Sequence, residues 1–134
     1  MATGPDKSLK VAMADSNAFP LVFAELKQLL VPYAARLVVT GDSGTDYTLD
    51  APASTAYPKG LFFASVRLGK RYVSYHLMPV YLFPDLLGGL SDPMRKWMQG
   101  KSCFNFTRLD ATWVKELSEL TAAGFARYRQ AEIV

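Results

Sequence analysis

Two apolar runs, "LFFASVRL" at residues 61–68 and "RYVSYHLM" at residues 71–78, are parted only by Gly69-Lys70. Both are rich in β-branched and aromatic residues, which fit a pleated, half-buried surface. Two such runs about a two-residue connection read as a β-hairpin. With Gly69-Lys70 as the loop, Leu68 stands opposite Arg71 and His76 opposite Phe63. Side chains alternate along a strand, so one face takes Phe62, Ala64, Val66, Val73, Tyr75 and Leu77. The other takes Phe63, Ser65, Arg67, Tyr72, Ser74 and His76. The first face is core. The second mixes aromatic, hydroxyl and charged groups, and a slip of one residue would exchange the two.

The rest of the chain must cover the oily face. "FPLVFAELKQLL" predicts a helix, with Pro20 in its first turn and Val22, Leu26, Leu29, Leu30 and Tyr33 along one stripe. Pro32 ends it near Val31. "RLVVTGDSGTDYTLDA" reads as a strand, a turn at Gly41-Asp42-Ser43-Gly44 and a second strand. Ser91-Asp92-Pro93 opens a helix through "MRKWMQ" that stops at Gly100. "KSCFNFTRL" is a strand with Phe104 and Phe106 on one side, Cys103 and Asn105 on the other. Asp110 caps a last helix with a stripe of Val114, Leu117, Thr121, Phe125 and Tyr128. The order αββββαβα predicts a single α+β domain over residues 17–134, an antiparallel sheet of about five strands with helices packed on one face. Residues 1–16, polar and aperiodic, read as a loose arm.

A chain of 134 residues, half of it apolar, is long enough to bury a core without staples. One cysteine excludes an internal disulfide and any site built on several thiolates. No apolar run suggests a signal peptide or a membrane span, so the expectation is a cytoplasmic protein without a membrane partner. The net charge of +3 is dispersed, whereas a nucleic-acid binder gathers its cations against phosphates. The balance is against a nucleic-acid partner.

This order and several of its residues resemble the YdhG-like family of small bacterial domains of unknown function. The likeness covers about residues 20 to 130. It is carried by "FAELKQLL", the hairpin around Gly69-Lys70, the "HLMP" exit at Pro79, and Lys101-Ser102-Cys103-Phe104 within "KSCFNF". The counterpart of the family's tyrosine-glycine-methionine-proline stretch is "YTLDAP", and the histidine typical of its second hairpin strand falls near Arg71 or Tyr72. Some members bear a frataxin-type iron-chaperone label, which implies iron binding as one alternative, although "FAELKQLL" offers only Glu25 as a carboxylate. The resemblance transfers no catalytic residue.

Among candidate sites, His76 is the only histidine. A general base needs an orienting partner, and Asp46 or Asp50 on a neighbouring strand are the carboxylates to supply one. Asp46 and Asp50 themselves lie roughly 13 Å apart along a strand, too far to share one ion. Cys103 has no histidine beside it in sequence and reads as a small buried residue. "LLGGL" lacks the lysine of a phosphate loop, and "GDSG" is a four-letter match in a turn. The leading expectation is therefore a non-enzymatic binding or interaction module without cofactor or metal. Its face comprises Phe63, Ser65, Arg67, Tyr72, Ser74 and His76, with Tyr47 alongside. Such a face suits a small anionic or planar molecule, with Arg67 as a forked donor, or a protein partner, a second copy of the chain included.

Overall fold

The computed structural model describes residues 18–134. The arm read over residues 1–16 lies outside them. Helix α1, Phe19–Leu30, carries Pro20 in its first turn, where a missing N–H costs nothing, and passes into a 3-10 turn at Val31–Tyr33 around Pro32. Its buried stripe is Phe19, Val22, Phe23, Leu26 and Leu30. Four strands follow: β1 (Val38–Asp42), β2 (Asp46–Ala51), β3 (Leu61–Leu68) and β4 (Val73–Leu77). Short helices α2 (Met78–Leu82) and α3 (Asp92–Arg95) flank a 3-10 segment at Pro84–Gly89. Strands β5 (Met98–Gln99) and β6 (Cys103–Phe106) lead to the long helix α4, Ala111–Gln130. The fold is a single-domain α+β structure. Its antiparallel sheet runs β1-β2-β3-β4-β6-β5, with six strands where the sequence suggested about five.

The sixth strand comes from the segment read as the end of a helix. Ser91 caps α3 as expected, its hydroxyl accepting from the Met94 N–H, but the helix ends at Arg95. Gly100 sits at φ +73°, a left-handed conformation that reverses the chain, so Met98 pairs with Phe104 and Gln99 with Cys103. That glycine serves a hairpin turn, not a helix stop. Asp110 caps α4 by accepting from the Thr112 N–H at 2.7 Å.

The central hairpin forms with a corrected register. The Gly69 N–H donates to the Tyr72 carbonyl at 3.0 Å, so the tip is Lys70-Arg71 and Leu68 faces Val73. His76 stands opposite Ser65 rather than Phe63. The shift is two residues, one full side-chain period, so the faces survive it. Ala64, Val66, Val73, Tyr75 and Leu77 point to the core as expected. The wider loop keeps Arg71 in solvent and sets Val73 against Leu68.

One pair of neighbours is exchanged. Leu49 pairs with Ala64 but Asp50 pairs with Phe62, leaving Phe63 as the extra residue of a β-bulge. The bulge resets the alternation, so Phe63 joins Ala64 on the core side. It is fully buried against Tyr33 from α1's end and against Phe125 and Tyr128 of α4, with ring centroids 5.5–6.0 Å away. Phe62 takes the opposite face.

Helix α1 lies over β3 and β4, and α4 packs on α1 and α2. The helices cover one side of the sheet. Tyr128 ties α4 to β3 by donating its hydroxyl to the Phe62 carbonyl at 2.6 Å. At the far edge Trp97 and Trp113 meet at 5.2 Å, with the Arg108 guanidinium over both rings. The remaining side of the sheet has no helix on it among the described residues.

Candidate functional site

The uncovered side is ordered by strand register into two polar rows. One runs Thr48, Ser65, His76, Cys103 across β2, β3, β4 and β6. The next runs Asp46, Arg67, Ser74, Asn105 on the same four strands. Each row alternates with buried apolar residues, since successive side chains take opposite faces. Phe62 rises beside the first row with its ring edge against His76, centroids 5.1 Å apart at 77°. A cavity of about 370 Å³ lies over these rows, walled by Thr48, Phe62, Ser65, Arg67, Ser74, His76 and Cys103.

His76 shares a 2.7 Å hydrogen bond between Nε2 and the Ser102 hydroxyl, and Ser102 is buried. Burial pushes the imidazole below its ordinary pKa of 6.5, and the positive charge of Arg67 pushes the same way. The ring is therefore neutral at pH 7, one nitrogen donating and the other accepting. Neither Asp46 nor Asp50 bonds to it. The Asp46 carboxylate accepts from the Thr48 hydroxyl at 3.2 Å and lies 3.6 Å from Arg67 Nε. Asp50 is raised by burial, against a hydrogen bond from Thr40 that lowers it. Among the described residues the imidazole–carboxylate couple that a His76 base would use is not formed.

Asn105 Oδ1 accepts from Ser74 at 2.9 Å and from the Cys103 thiol at 3.4 Å. Burial raises the Cys103 pKa, only partly offset by hydrogen bonding with Ser74, so sulfur stays protonated and weakly nucleophilic. Arg67 differs from these neighbours. Its side chain is 72% exposed and meets Asp46 only through Nε, so its terminal nitrogens make no hydrogen bond among the described residues. A second cavity, about 460 Å³, continues toward the hairpin tip and is bounded by Arg67, Gly69, Lys70, Arg71, Tyr72 and Ser74.

Of the residues singled out in the sequence, Ser65, Arg67, Ser74 and His76 lie together on the open face, and Tyr72, 40% exposed, stands at its hairpin end. Phe63 and Tyr47 do not. Phe63 is carried inward by the bulge, and Tyr47 is 4% exposed on the helix side, with the Lys27 ammonium 5.0 Å above its ring. Thr48, Phe62 and Cys103 join the face in their place. The alternation of "DYTLDA" and "CFNF" signals that Thr48 and Cys103 point away from the core. That β6 lies beside β4 is a long-range pairing with no local signal. Among the described residues no group of three or more His, Cys, Asp or Glu side chains is placed to hold a metal ion, and no helix is long and apolar enough to cross a membrane. No family model, curated protein or solved structure matches the chain.

Proposed function

We propose that the protein is a non-enzymatic binding module that takes a small anionic molecule on the open face of its sheet. The observation that carries this reading is Arg67. Its fork stands over a cavity walled by hydroxyls and an edge-on Phe62–His76 pair, with only a 3.6 Å approach from Asp46 to occupy it. A planar guanidinium in that position suits a two-point grip on a carboxylate or phosphate. His76, hydrogen-bonded to Ser102 with neither Asp46 nor Asp50 to orient it, and the protonated Cys103 supply neutral donors and acceptors to a bound molecule. The iron-chaperone role that comes with the YdhG-like resemblance has less support on this face, because among the described residues no three His, Cys, Asp or Glu side chains are grouped to hold a metal ion.

The reading is tested on the full chain purified from its source. A native mass spectrum is expected to show a small-molecule adduct that is lost in Arg67→Ala. A thermal-shift panel of benzoate, inorganic phosphate and adenosine 5′-monophosphate is expected to give at least one stabilisation that the variant abolishes. A ligand at a hundred times its Kd stabilises by about 2.7 kcal/mol, a shift of several degrees for a domain this size. An adduct-free spectrum together with a flat panel would end the proposal.

A further inference from the structure

We infer that the ligand of the open face is a phosphomonoester joined to a planar ring, with its phosphate at the hairpin tip between Arg67, Lys70 and Arg71. This rests on the proposed reading of the open face as a ligand site and concerns what that ligand is.

The two cavities share Arg67 and Ser74 as common walls, so they form one trough with unlike ends. The tip end has six lining residues, of which Arg67, Lys70 and Arg71 are cations and none is a carboxylate. The charged group that approaches from outside this lining is Asp46, 3.6 Å from Arg67 Nε. Three positive charges against one negative leave two uncompensated. A carboxylate ligand carries one charge and would leave one cation facing its like. A phosphomonoester carries about −1.5 to −2 at pH 7 and balances the trough's end. It also has three acceptor oxygens, enough for the Arg67 fork and two further cations at once.

The other end has different chemistry. Phe62 stands edge-on to His76 and walls one side, while Thr48 and Ser65 offer hydroxyls from the floor. An aromatic wall with neutral hydrogen-bonding groups suits the face and polar edge of a flat ring. Ser65 lies two residues from Arg67 along β3, about 6.6 Å. The ring end and the phosphate end are thus one short spacer apart along β3, which suits a ring and a phosphate joined through a linker such as a sugar.

Isothermal titration calorimetry of the full chain with the four common nucleoside 5′-monophosphates, their nucleosides, inorganic phosphate and benzoate decides the matter. At least one monophosphate is expected to bind, with its nucleoside and inorganic phosphate each weaker by tenfold or more. Lys70→Ala and Arg71→Ala sit at an exposed tip, so both are expected to keep the parent Tm while weakening the monophosphate by tenfold or more. A nucleoside or benzoate that binds as tightly as the monophosphate overturns the phosphate assignment and leaves the open-face reading standing. Inorganic phosphate binding as tightly overturns the ring. No heat from any of the panel overturns the whole inference, and the fate of the open-face reading then follows from the copurified adduct and its dependence on Arg67.

Discussion

Tyr75 on β4 donates its hydroxyl to Thr121 on α4 across 2.6 Å of fully buried core. The direction is fixed because Thr121 spends its own proton on the Leu117 carbonyl one turn back, at 2.7 Å. Sheet and helix are thereby joined by one buried hydrogen bond, backed by a second within α4.

The two partners are consequently unequal. Tyr75→Phe removes a donor and leaves Thr121 bonded to Leu117, a loss of about 0.5–1.5 kcal/mol. Thr121→Val keeps the shape but strands the tyrosine hydroxyl in the core, costing about 1–3 kcal/mol. The double variant is expected to be no less stable than Thr121→Val alone, since no unpaired group is left. Urea unfolding of the four proteins measures this cycle. A Thr121→Val no costlier than Tyr75→Phe would contradict this assignment.

Gly124 is where α4 meets the start of α2. A Cβ there would lie 2.9 Å from Cβ and 3.0 Å from Cγ of Pro79, a ring that has no rotamer to yield with. Alanine in mid-helix ordinarily gains about 0.8–1.0 kcal/mol over glycine. Overpacking a tight contact costs about 1–3 kcal/mol, so Gly124→Ala is expected to lower stability despite its better helix propensity. A raised Tm would show that the helices do not approach this closely.

His76 is the chain's one histidine, so its ring protons give an unambiguous NMR titration. Burial and then the Arg67 charge hold its folded pKa below 6.5, while the unfolded chain titrates near that ordinary value. The unfolded state therefore binds the extra proton first. The contribution to stability is present above 6.5 and is lost as pH falls through the lowered folded value. His76→Gln is expected to flatten the drop in Tm across that window. Arg67→Gln is expected to move the titration midpoint upward but only part of the way, because burial is the larger cause. A wild-type midpoint at or above 6.5 would contradict the described environment.

The fold class and most elements were legible in the sequence because local periodicity carries them. The stripe of α1, the caps at Ser91 and Asp110 and the alternation of β4 all appear where the residues place them. What escaped was set by longer-range or subtler geometry. A two-residue slide of the hairpin changed His76's partner from Phe63 to Ser65 without changing its face. Met98–Gln99 became a strand because Gly100 could turn and Cys103–Phe104 were there to pair with. Tyr47 was set beside the face by its nearness to the hairpin in sequence, but its neighbours Asp46 and Thr48 are the outward residues of β2. On the candidate face, the serines, Arg67 and His76 were readable from one hairpin. Cys103 and Asn105 required knowing that β6 docks on β4.

The bulge at Phe63 gives the sharpest test of which aromatic belongs to which side. Unbroken alternation would put Phe62 among the helices and Phe63 against His76, whereas the register break between Leu49 and Asp50 reverses them. Phe63→Ala should then excavate a fully buried site shared with Tyr33, Phe125 and Tyr128, at about 3–5 kcal/mol. That is a large share of the roughly 5–15 kcal/mol that holds such a domain together. Phe62→Ala removes a half-covered ring from the open face and should cost roughly 1 kcal/mol. Its clearer mark is electrostatic: with the ring gone, water reaches His76, the desolvation that depresses its pKa weakens, and the NMR midpoint rises toward 6.5. Phe63→Ala, made where it still folds, should leave that midpoint in place. If Phe62→Ala is the costlier of the two and the midpoint follows Phe63 rather than Phe62, the alternation was never broken and the wall of the proposed trough is the wrong phenylalanine.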